Sequence, residues 1–386
     1  MSHYLDYAAT TPLDERVLVA MMQNSGQIFG NPSSVHQYGQ LARRALDVAR
    51  MQVAALIGAD PRELVFVSGG TEADNLALRG VMQAQRAKGD HLIVSAIEHH
   101  AILHAAEQLE KEGYAVTVLP VDSEGFCRPE QLAKAMTPKT VLVSMMMANN
   151  EVGTILPISD LVTIAHQRGA LFHSDAVQAA GLLPIDVRQL GVDLLSLSAH
   201  KIYGPKGIGA LYVRQGVSLD PMLVGGSQER ARRAGTENVL GAIGFGAAAA
   251  LAVSEREERV QKLASLQANM IKELLKVPGV HLNGPADFSR RLVNNISVVV
   301  EGVSGESLLL GLDVEGIAAA SGSACTSGSL EPSHVLLSLG LREDLAQGAV
   351  RFSLGKDTTE AACADACRAF EKVVARLRQQ KVEVSS

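Results

Sequence analysis

The sequence predicts an α/β protein with two parts: a large domain built on a mostly parallel sheet covered by helices, and a smaller α+β domain. Of the 386 residues, 47% are hydrophobic and 20% are charged, which is the balance of a folded chain with a large core. More than one core is expected at this length. Short apolar runs alternate with helical stretches in the middle of the chain, and the pattern changes beyond about Ser254. We therefore place the large domain at 15–255 and the smaller domain at 1–14 and 256–386.

The predicted elements of the large domain follow one another as βαβ units do. Apolar, β-rich runs predict strands at Leu64–Ser68, His91–Ser95, Val141–Met147, Leu171–Ser174, Leu194–Ser198 and Ala210–Val213. Helical periodicity predicts helices at Ala42–Ile57, Glu72–Ala87, Ala101–Glu112 and Ile158–Arg168. Polar or glycine-rich residues follow each strand directly, and ligands of open α/β sheets bind at the carboxyl ends of the strands.

The smaller domain is predicted from five features after residue 253. They are a charged amphipathic helix at Ser254–Lys276, a strand at Asn295–Val300, a Gly/Ser-rich segment at 319–329, a strand at Ala349–Leu354 and a final helix at Thr359–Gln380. Glycine and serine give the chain freedom to move, and the Gly/Ser-rich segment contains Cys325.

Charge and composition exclude several classes of function. The net charge is -6 and no long basic run is present, which argues against direct nucleic-acid binding. The first residues carry Asp6 where a signal peptide would have a basic stretch, and no apolar run approaches the roughly 20 residues needed to span a membrane. We expect a cytoplasmic protein. Its four cysteines are too sparse for a disulfide framework and are expected to be reduced.

Two strand ends suggest a cofactor that carries an aldehyde and a phosphate. Lys201 follows a predicted buried strand beside Ser198 and His200, and such a lysine can form a Schiff base with an aldehyde cofactor. A solvated turn lysine is the ordinary alternative. Gly70 and Thr71 open a helix after another strand, where free N–H groups suit a phosphate, although plain helix capping explains the same pattern.

Two further strand ends carry groups that suit the ring of such a cofactor. Asp175 is placed either to bond a protonated pyridine nitrogen or to cap a helix, and we weigh these two roles as equal. Asn149 follows the strand at Val141–Met147 and either bonds a ring hydroxyl or forms a turn.

Three other patterns are set aside. Cys363 and Cys367 stand four apart on the predicted last helix without a second ligand pair, which favours a half-buried helix face over a metal site. His100 and His104 lack the glutamate of a zinc-hydrolase motif. The glycine-rich run at 204–209 precedes a strand rather than a helix, so it is interpreted as a tight turn and not as a dinucleotide site.

Taken in order along nearly the whole chain, ten motifs resemble those of cysteine desulfurases of the nitrogenase and iron–sulfur-cluster type, which are class V aminotransferase-like proteins. They lie at Tyr4–Pro12, Phe29–Ser34, Ser68–Asn75, Glu98–His99, Ala148–Glu151, Asp175–Gln178, Ser198–Lys201, Arg233–Asn238, Ser321–Cys325 and Val350–Gly355. The resemblance implies the fold of the type I enzymes that depend on pyridoxal 5′-phosphate.

The resemblance also implies a role for each matching residue. Lys201 is expected to bind the cofactor aldehyde, and Cys325 to accept the sulfur. The other implied site residues are Gly70, Thr71, Ser198 and His200 at the phosphate, Thr236 reaching that phosphate from the other subunit of a homodimer, Asp175 at the ring nitrogen, Gln178 and Asn149 at the ring oxygen, His99 on the ring face, and Asn31 and Arg351 at the substrate.

The implied reaction converts L-cysteine to L-alanine and leaves a persulfide on Cys325, whose sulfur passes to an iron–sulfur scaffold or another acceptor protein. No metal, membrane or nucleic acid is expected to take part. Selenocysteine lysis or transamination on the same fold, and a non-catalytic sulfur-relay module, remain as alternatives. The branch of the family is left open, because Gln228–Asn238 is similar to the nitrogenase-associated branch and Ser198–His200 to the general one.

Overall fold

A computed structural model describes residues 3–321 and 332–385. In these residues the chain forms one large sheet and two small ones. Its strands are β1 (His3–Tyr4), β2 (Leu64–Val67), β3 (His91–Ser95), β4 (Ala115–Leu119), β5 (Thr140–Ser144), β6 (Leu171–Asp175), β7 (Leu194–Ser198), β8 (Gly209–Val213), β9 (Val280–Leu282), β10 (Asn295–Val300), β11 (Ile317–Ala318) and β12 (Ala349–Ser353).

The α-helices are α1 (Glu15–Ser25), α2 (Gln37–Leu56), α3 (Gly70–Ala84), α4 (His100–Lys111), α5 (Pro129–Ala135), α6 (Ile158–Gln167), α7 (Val187–Leu190), α8 (Val239–Leu274), α9 (Gly305–Val314), α10 (His334–Ser338), α11 (Glu343–Ala346) and α12 (Glu360–Ser385). Short 3-10 helices lie at Pro61–Glu63, Ala199–Lys201, Gln228–Ala231 and Phe288–Arg290.

The large sheet has the strand order β2-β8-β7-β6-β5-β3-β4. Strands from β7 to β4 pair in parallel, whereas β8 runs antiparallel to both β7 and β2. This arrangement confirms the predicted α/β class with a mostly parallel sheet. The prediction omitted β4, an edge strand whose residues are only partly buried. The carboxyl ends of β5, β6 and β7 lie next to one another, which brings the residues that follow them to one edge of the sheet.

The smaller sheets tie the beginning of the chain to its last third. β12, β10 and β9 form an antiparallel sheet, and β1 pairs in parallel with β11. The backbone N–H of Ser353 donates to the carbonyl of Leu5 at 2.7 Å. The N-terminal segment thus runs along the edge of β12 before it reaches the large sheet.

Helix α8 begins 15 residues before the helix predicted at Ser254–Lys276, so that predicted start is wrong. The early part of α8 is rich in glycine, which lowers the intrinsic preference for a helix. The sequence therefore did not indicate a helix in this part of the chain. Packing explains the glycines. A Cβ on Gly244 would lie 2.6 Å from the sulfur of Met21, and one on Gly246 would lie 2.8 Å from the Cα of Ala49. Close contact with α1 and α2 therefore requires glycine at these positions.

Helix α8 also joins the two parts of the fold. Its residues up to Ala252 pack into the core under the large sheet, and those from Leu263 pack with the antiparallel sheet. A domain division at residue 255 stays a prediction. By length and composition, α8 is the one helix in the described ranges that could cross a membrane, but half of its most apolar window is buried inside the protein, as in a core helix.

Candidate active site

Lys201 lies at the carboxyl edge of the large sheet, one short 3-10 helix after β7. Its side chain is half-buried, and Nζ donates to the carbonyls of Ala8 at 2.5 Å and Ala9 at 2.8 Å. Thr11 fixes the same turn, since its hydroxyl donates to the carbonyl of His200 and accepts from the N–H of Tyr203. The N-terminal segment therefore holds the amine at the mouth of the sheet, where a bound aldehyde can reach it.

Asp175 ends β6 beside this lysine and is 6% exposed. Its Oδ1 accepts from the N–H of Val177 at 2.8 Å. Burial raises the pKa of Asp175 to about 6, while that N–H and the charge of Lys201 oppose the rise. The charge of Lys201 and the N–H of Val177 favour the ionised carboxyl, and an ionised carboxyl in a site of low dielectric suits a cationic ring nitrogen.

His99 precedes α4 and caps it, because its Nδ1 accepts from the N–H of Ala101 at 3.1 Å. That bond leaves the ring proton on Nε2. Burial, together with the charge of Lys201 and the histidines nearby, lowers the pKa of His99 to about 4. A neutral imidazole results, which can lie flat on an aromatic ring or pass a proton.

Four of the five residues predicted to bind phosphate, Gly70, Thr71, Ser198 and His200, line one cavity of about 440 Å³. The Ser198 hydroxyl is buried there and has no hydrogen-bond partner among the residues that the structure describes. Gly70 and Thr71 begin α3, whose first turn has no side-chain cap. A helix start with free N–H groups and an orphaned hydroxyl fit a phosphate group well.

His200 lines the same cavity in neutral form. Its Nδ1 lies 3.1 Å from the hydroxyl of Thr10. Burial, together with Lys201 and Lys206, lowers the pKa of His200 to about 4. A neighbouring cavity of about 690 Å³ shares Thr71 with the first and is lined by His99. The two cavities together offer room for a phosphorylated ring and a small amino acid.

The two amides predicted to bond the ring oxygen, Gln178 and Asn149, have different hydrogen-bond partners. Gln178 donates from Nε2 to the carbonyl of Ala8 at 2.9 Å, so it lies with Lys201 on the N-terminal segment. Asn149 is fully buried, and its Oδ1 accepts from the N–H groups of Glu151 and Val152 at 2.8 Å each. Asn149 therefore shapes the loop after β5. The ring-oxygen role of both amides stays a prediction.

Arg351 lies on β12 and is 2% exposed. Its guanidinium donates to the carboxylate of Asp6 at 2.9 Å and to the carbonyl of Asn150 at 3.0 Å. Its Nε has no hydrogen-bond partner within 3–321 and 332–385. A buried guanidinium with donors to spare suits a carboxylate ligand.

Two predicted site residues, Asn31 and Thr236, lie apart from this group within one protomer. Asn31 is exposed and its Oδ1 accepts from the N–H of its own turn at Ser33. Thr236 is exposed as well, and neither of them lines the two cavities. Cys325 lies outside the described residues.

The sequence placed residues 1–14 in the smaller domain and predicted no role at the site for this N-terminal segment, although its motif at Tyr4–Pro12 belongs to the resemblance. In the structure, Asp6 contacts Arg351, the carbonyl of Ala8 accepts from Lys201 and Gln178, and Thr10 contacts His200. Backbone carbonyls carry no signal in the residue types, so this role could not be predicted. Only the polar side chains of Asp6, Thr10 and Thr11 could have indicated it.

Comparisons with known proteins identify the family to which this chain is similar. The family model for class-V aminotransferases matches residues 3–363. A cysteine desulfurase IscS of Dictyoglomus turgidum is 50% identical over 376 residues, which are 97% of this chain and 95% of that protein. A solved NifS-like protein superposes with a TM-score of 0.91 at 36% identity, over 98% of this chain and 100% of that one. SspA in complex with cysteine gives a TM-score of 0.80 at 35% identity, over 92% and 99%.

Proposed function

The chain belongs to the class-V aminotransferase family and is a cysteine desulfurase that uses pyridoxal 5′-phosphate, and we propose here how its own residues divide the reaction. Lys201 handles protons at the substrate, Arg351 binds the substrate carboxylate, and Cys325 receives the sulfur. The observation that carries this proposal is the meeting of Lys201, Asp175 and the orphaned Ser198 hydroxyl at one sheet edge.

The cofactor is held from three sides in this proposal. Ser198 and His200, with the start of α3, bind its phosphate, and Asp175 pairs with its ring nitrogen. His99 covers one face of the ring. When bound, the cofactor supplies an electron sink that acidifies the Cα proton of the amino acid. A neutral His99, which its lowered pKa favours, and an Asp175 carboxylate beside the charge of Lys201 both suit these roles.

Lys201 takes up the Cα proton at Nζ and returns protons later in the cycle. The 3-10 turn after β7 holds its amine at the carboxyl edge of the sheet, where the reacting carbon would lie. The carbonyls of Ala8 and Ala9 stabilise the protonated amine by direct hydrogen bonds. Burial of this edge keeps bulk water from competing for the proton.

Arg351 orients L-cysteine, the substrate, through its carboxylate. The arginine is buried and already positioned by Asp6 and Asn150, so little side-chain entropy is lost when the substrate binds. The spare Nε–H offers a further donor. We propose that Asn31 contributes to the same substrate site.

Cys325 attacks the substrate sulfur as a thiolate. A bond forms between the two sulfurs and the bond from sulfur to Cβ breaks, with its electron pair passing to the substrate carbon. Protonation of that carbon leaves alanine. The remaining cysteines are poor candidates for this step, because burial raises the pKa of Cys127 to about 12, of Cys363 to about 11 and of Cys367 to about 12.

The enzyme works as a homodimer in this proposal. Large apolar side chains are exposed on α1, on the loop after it, on α2 and at 222–224, and such surface marks interfaces. They include Met22 at 65% exposure, Phe29 at 69%, Val35 at 90% and Val224 at 84%. Thr236 is exposed, and the ion pairs Arg50–Glu229 and Glu72–Arg233 hold the segment to which it belongs. A second copy of the chain can therefore contact it at a fixed position on the surface.

Hybrid dimers test the crossing of Thr236. A Lys201→Ala protomer is mixed with a Thr236→Ala protomer under conditions that exchange subunits. If Thr236 acts on the partner's site, each hybrid contains one site with both residues intact, and we expect about half of the parent activity per hybrid. If Thr236 acts within its own protomer, no hybrid site is intact, and activity no higher than that of the Thr236→Ala dimer would overturn the proposal.

The sulfur is delivered to acceptor proteins in the cytoplasm, for iron–sulfur cluster assembly or another thiolation. This part of the proposal rests on the resemblance to desulfurases of the iron–sulfur-cluster type. Transfer of labelled persulfide sulfur to a cluster scaffold, compared with transfer to a thiolation partner, tests it. Transfer to neither protein would contradict it.

A further inference from the structure

A group of polar side chains lies inside the protein between α3 and the large sheet. Ser144 on β5, His173 on β6 and Ser196 on β7 are fully buried and point to the same side of the sheet. The ring of His173 joins them, with Nδ1 at 2.8 Å from the Ser144 hydroxyl and Nε2 at 2.9 Å from the Ser196 hydroxyl. Asp175 lies on the same face, two residues after His173.

Asp74 faces this group from α3 and is 2% exposed. Its Oδ1 lies 3.8 Å from Nε2 of His173, too far for a hydrogen bond, and has no hydrogen-bond partner among the described residues. The other acids near it are Asp175 and Glu98. A carboxyl group therefore sits in the sheet interior with one oxygen that receives no donor.

Counting charges decides which acid is ionised. Burial lowers the pKa of His173 to about 3, so this histidine is neutral and no counterion for Asp74. Lys201 acts on Asp175, which also accepts from the N–H of Val177. Two buried carboxylates cannot both stay ionised beside a single cation. A hydrogen bond from Ser196 acts on Asp74 as well, but no cation does, so Asp175, which has both a backbone donor and Lys201, keeps the charge.

We propose that Asp74 carries a proton at neutral pH and is the positioning residue that keeps Asp175 ionised. Burial, followed by the charge of Asp175, raises the pKa of Asp74 well above its usual range, which agrees with this assignment. If Asp74 lost its proton, its charge would push the proton onto Asp175 instead. The effect of Asp74 on the ring nitrogen rests on the proposed role of Asp175. The protonation of Asp74 does not, because it is expected in the protein without cofactor as well.

Infrared spectroscopy of the parent apoprotein tests the proton directly. Aspartate labelled with ¹³C in the side-chain carboxyl shifts the carbonyl band of protonated aspartates away from that of Glu98, whose pKa is raised by burial to about 8. We expect a shifted band at about pH 7, absent from Asp74→Asn and present in the matched control Glu98→Gln. A labelled parent without a protonated aspartate band overturns the inference, and so does a band that persists in Asp74→Asn, because the proton would then be on Asp175.

Thermal unfolding of the same apoproteins gives a second readout. A group whose pKa is raised by folding stabilises the protein below its unfolded pKa and loses that contribution as pH rises through the folded value. The Asp74→Asn variant has no acid at this position, so it does not lose this stability as the pH rises. Its Tm relative to the parent should therefore rise by at least about 3 °C between about pH 5 and pH 8. A difference in Tm that stays constant over this range would contradict the inference.

Measurements on the holoenzyme test whether the proton on Asp74 affects the protonation of the cofactor ring nitrogen. With cofactor labelled with ¹⁵N in the ring, we expect the nitrogen of Asp74→Asn to stay protonated as in the parent, because asparagine reproduces the neutral acid. The control Asp175→Asn should lose that proton. A deprotonated ring nitrogen in Asp74→Asn overturns the inference. If the nitrogen of Asp175→Asn stays protonated, the proposed role of Asp175 fails while the infrared result on Asp74 stands.

Discussion

The two sides of the candidate site are built in different ways. On the cofactor side, Asp175, Ser198 and Lys201 come from two neighbouring strands and the turn after them, and β6 and β7 are paired in register. On the substrate side, Arg351 meets Asp6, which is 345 positions away in the sequence, and the two are joined only by the fold. Local chain geometry fixes the first group, whereas long-range packing fixes the second. On the cofactor side, substitutions should therefore remove groups that take part in the reaction. On the substrate side, they should mainly shift the groups that position the substrate.

Lys201→Ala is expected to have the largest effect, on the cofactor side. It removes the covalent anchor of the cofactor and the proton shuttle together, so alanine production should fall by several orders of magnitude. Alanine formed from cysteine is measured by chromatography beside Lys139→Ala, an exposed lysine with one long ion pair to Asp90. Turnover near the parent rate in Lys201→Ala would refute the assignment.

Arg351→Lys is the matching change on the substrate side. Lysine keeps the charge but loses the fork that binds a carboxylate through two bonds, so the KM for cysteine should rise about 10- to 100-fold. The visible absorption of the bound cofactor should stay as in the parent, because Arg351 lies on β12 and not in the phosphate cavity. Loss of cofactor colour together with activity would show that the two sides are not separate.

Asp6→Asn should act in the same direction with a smaller effect. The amide can still accept a hydrogen bond from Arg351, but the charge that orients the guanidinium is gone, and a rise in KM of about 3- to 10-fold is expected. The kcat should change less than the KM. A fall in kcat at constant KM would instead place Asp6 among the groups that act on the reacting atoms.

Deletion of Val382–Ser386 is expected to have the smallest effect. This polar end offers little apolar surface to an interface, so alanine formation and sulfur delivery should each change by less than about twofold, roughly 0.4 kcal/mol. Transfer of labelled persulfide sulfur is measured with intact and truncated enzyme side by side. If truncation abolishes transfer while alanine formation continues, the end of the chain is a docking element.

The difference between the two sides also explains what the sequence could predict. The α/β class and most strands could be predicted because buried parallel strands are continuous apolar runs, and polar residues mark their ends. Asp175, Ser198 and His200 are therefore visible in the sequence. The contact of Arg351 with Asp6 could not be predicted from the residues, because no local pattern records a pairing across the whole chain.

Two misses have specific physical causes. The start of α8 was placed too late because glycines that allow close packing against α1 and α2 weaken the helical signal. The sequence predicted no role for Asp74 beyond its place in the motif Ser68–Asn75, because an acid near a helix start normally indicates a favourable charge on the surface. Its burial against β6 depends on tertiary packing, which places the acid on the inner face of α3.

Mass spectrometry of the enzyme after a single turnover with L-cysteine tests the central claim most directly. Peptides that carry each cysteine are compared for one added sulfur, with Cys325→Ser as the control. The account predicts the added sulfur on Cys325 alone in the parent and no persulfide in the control, which should keep its coloured cofactor. An added sulfur on Cys127, Cys363 or Cys367 of the parent, or a persulfide that still forms in Cys325→Ser, would contradict it.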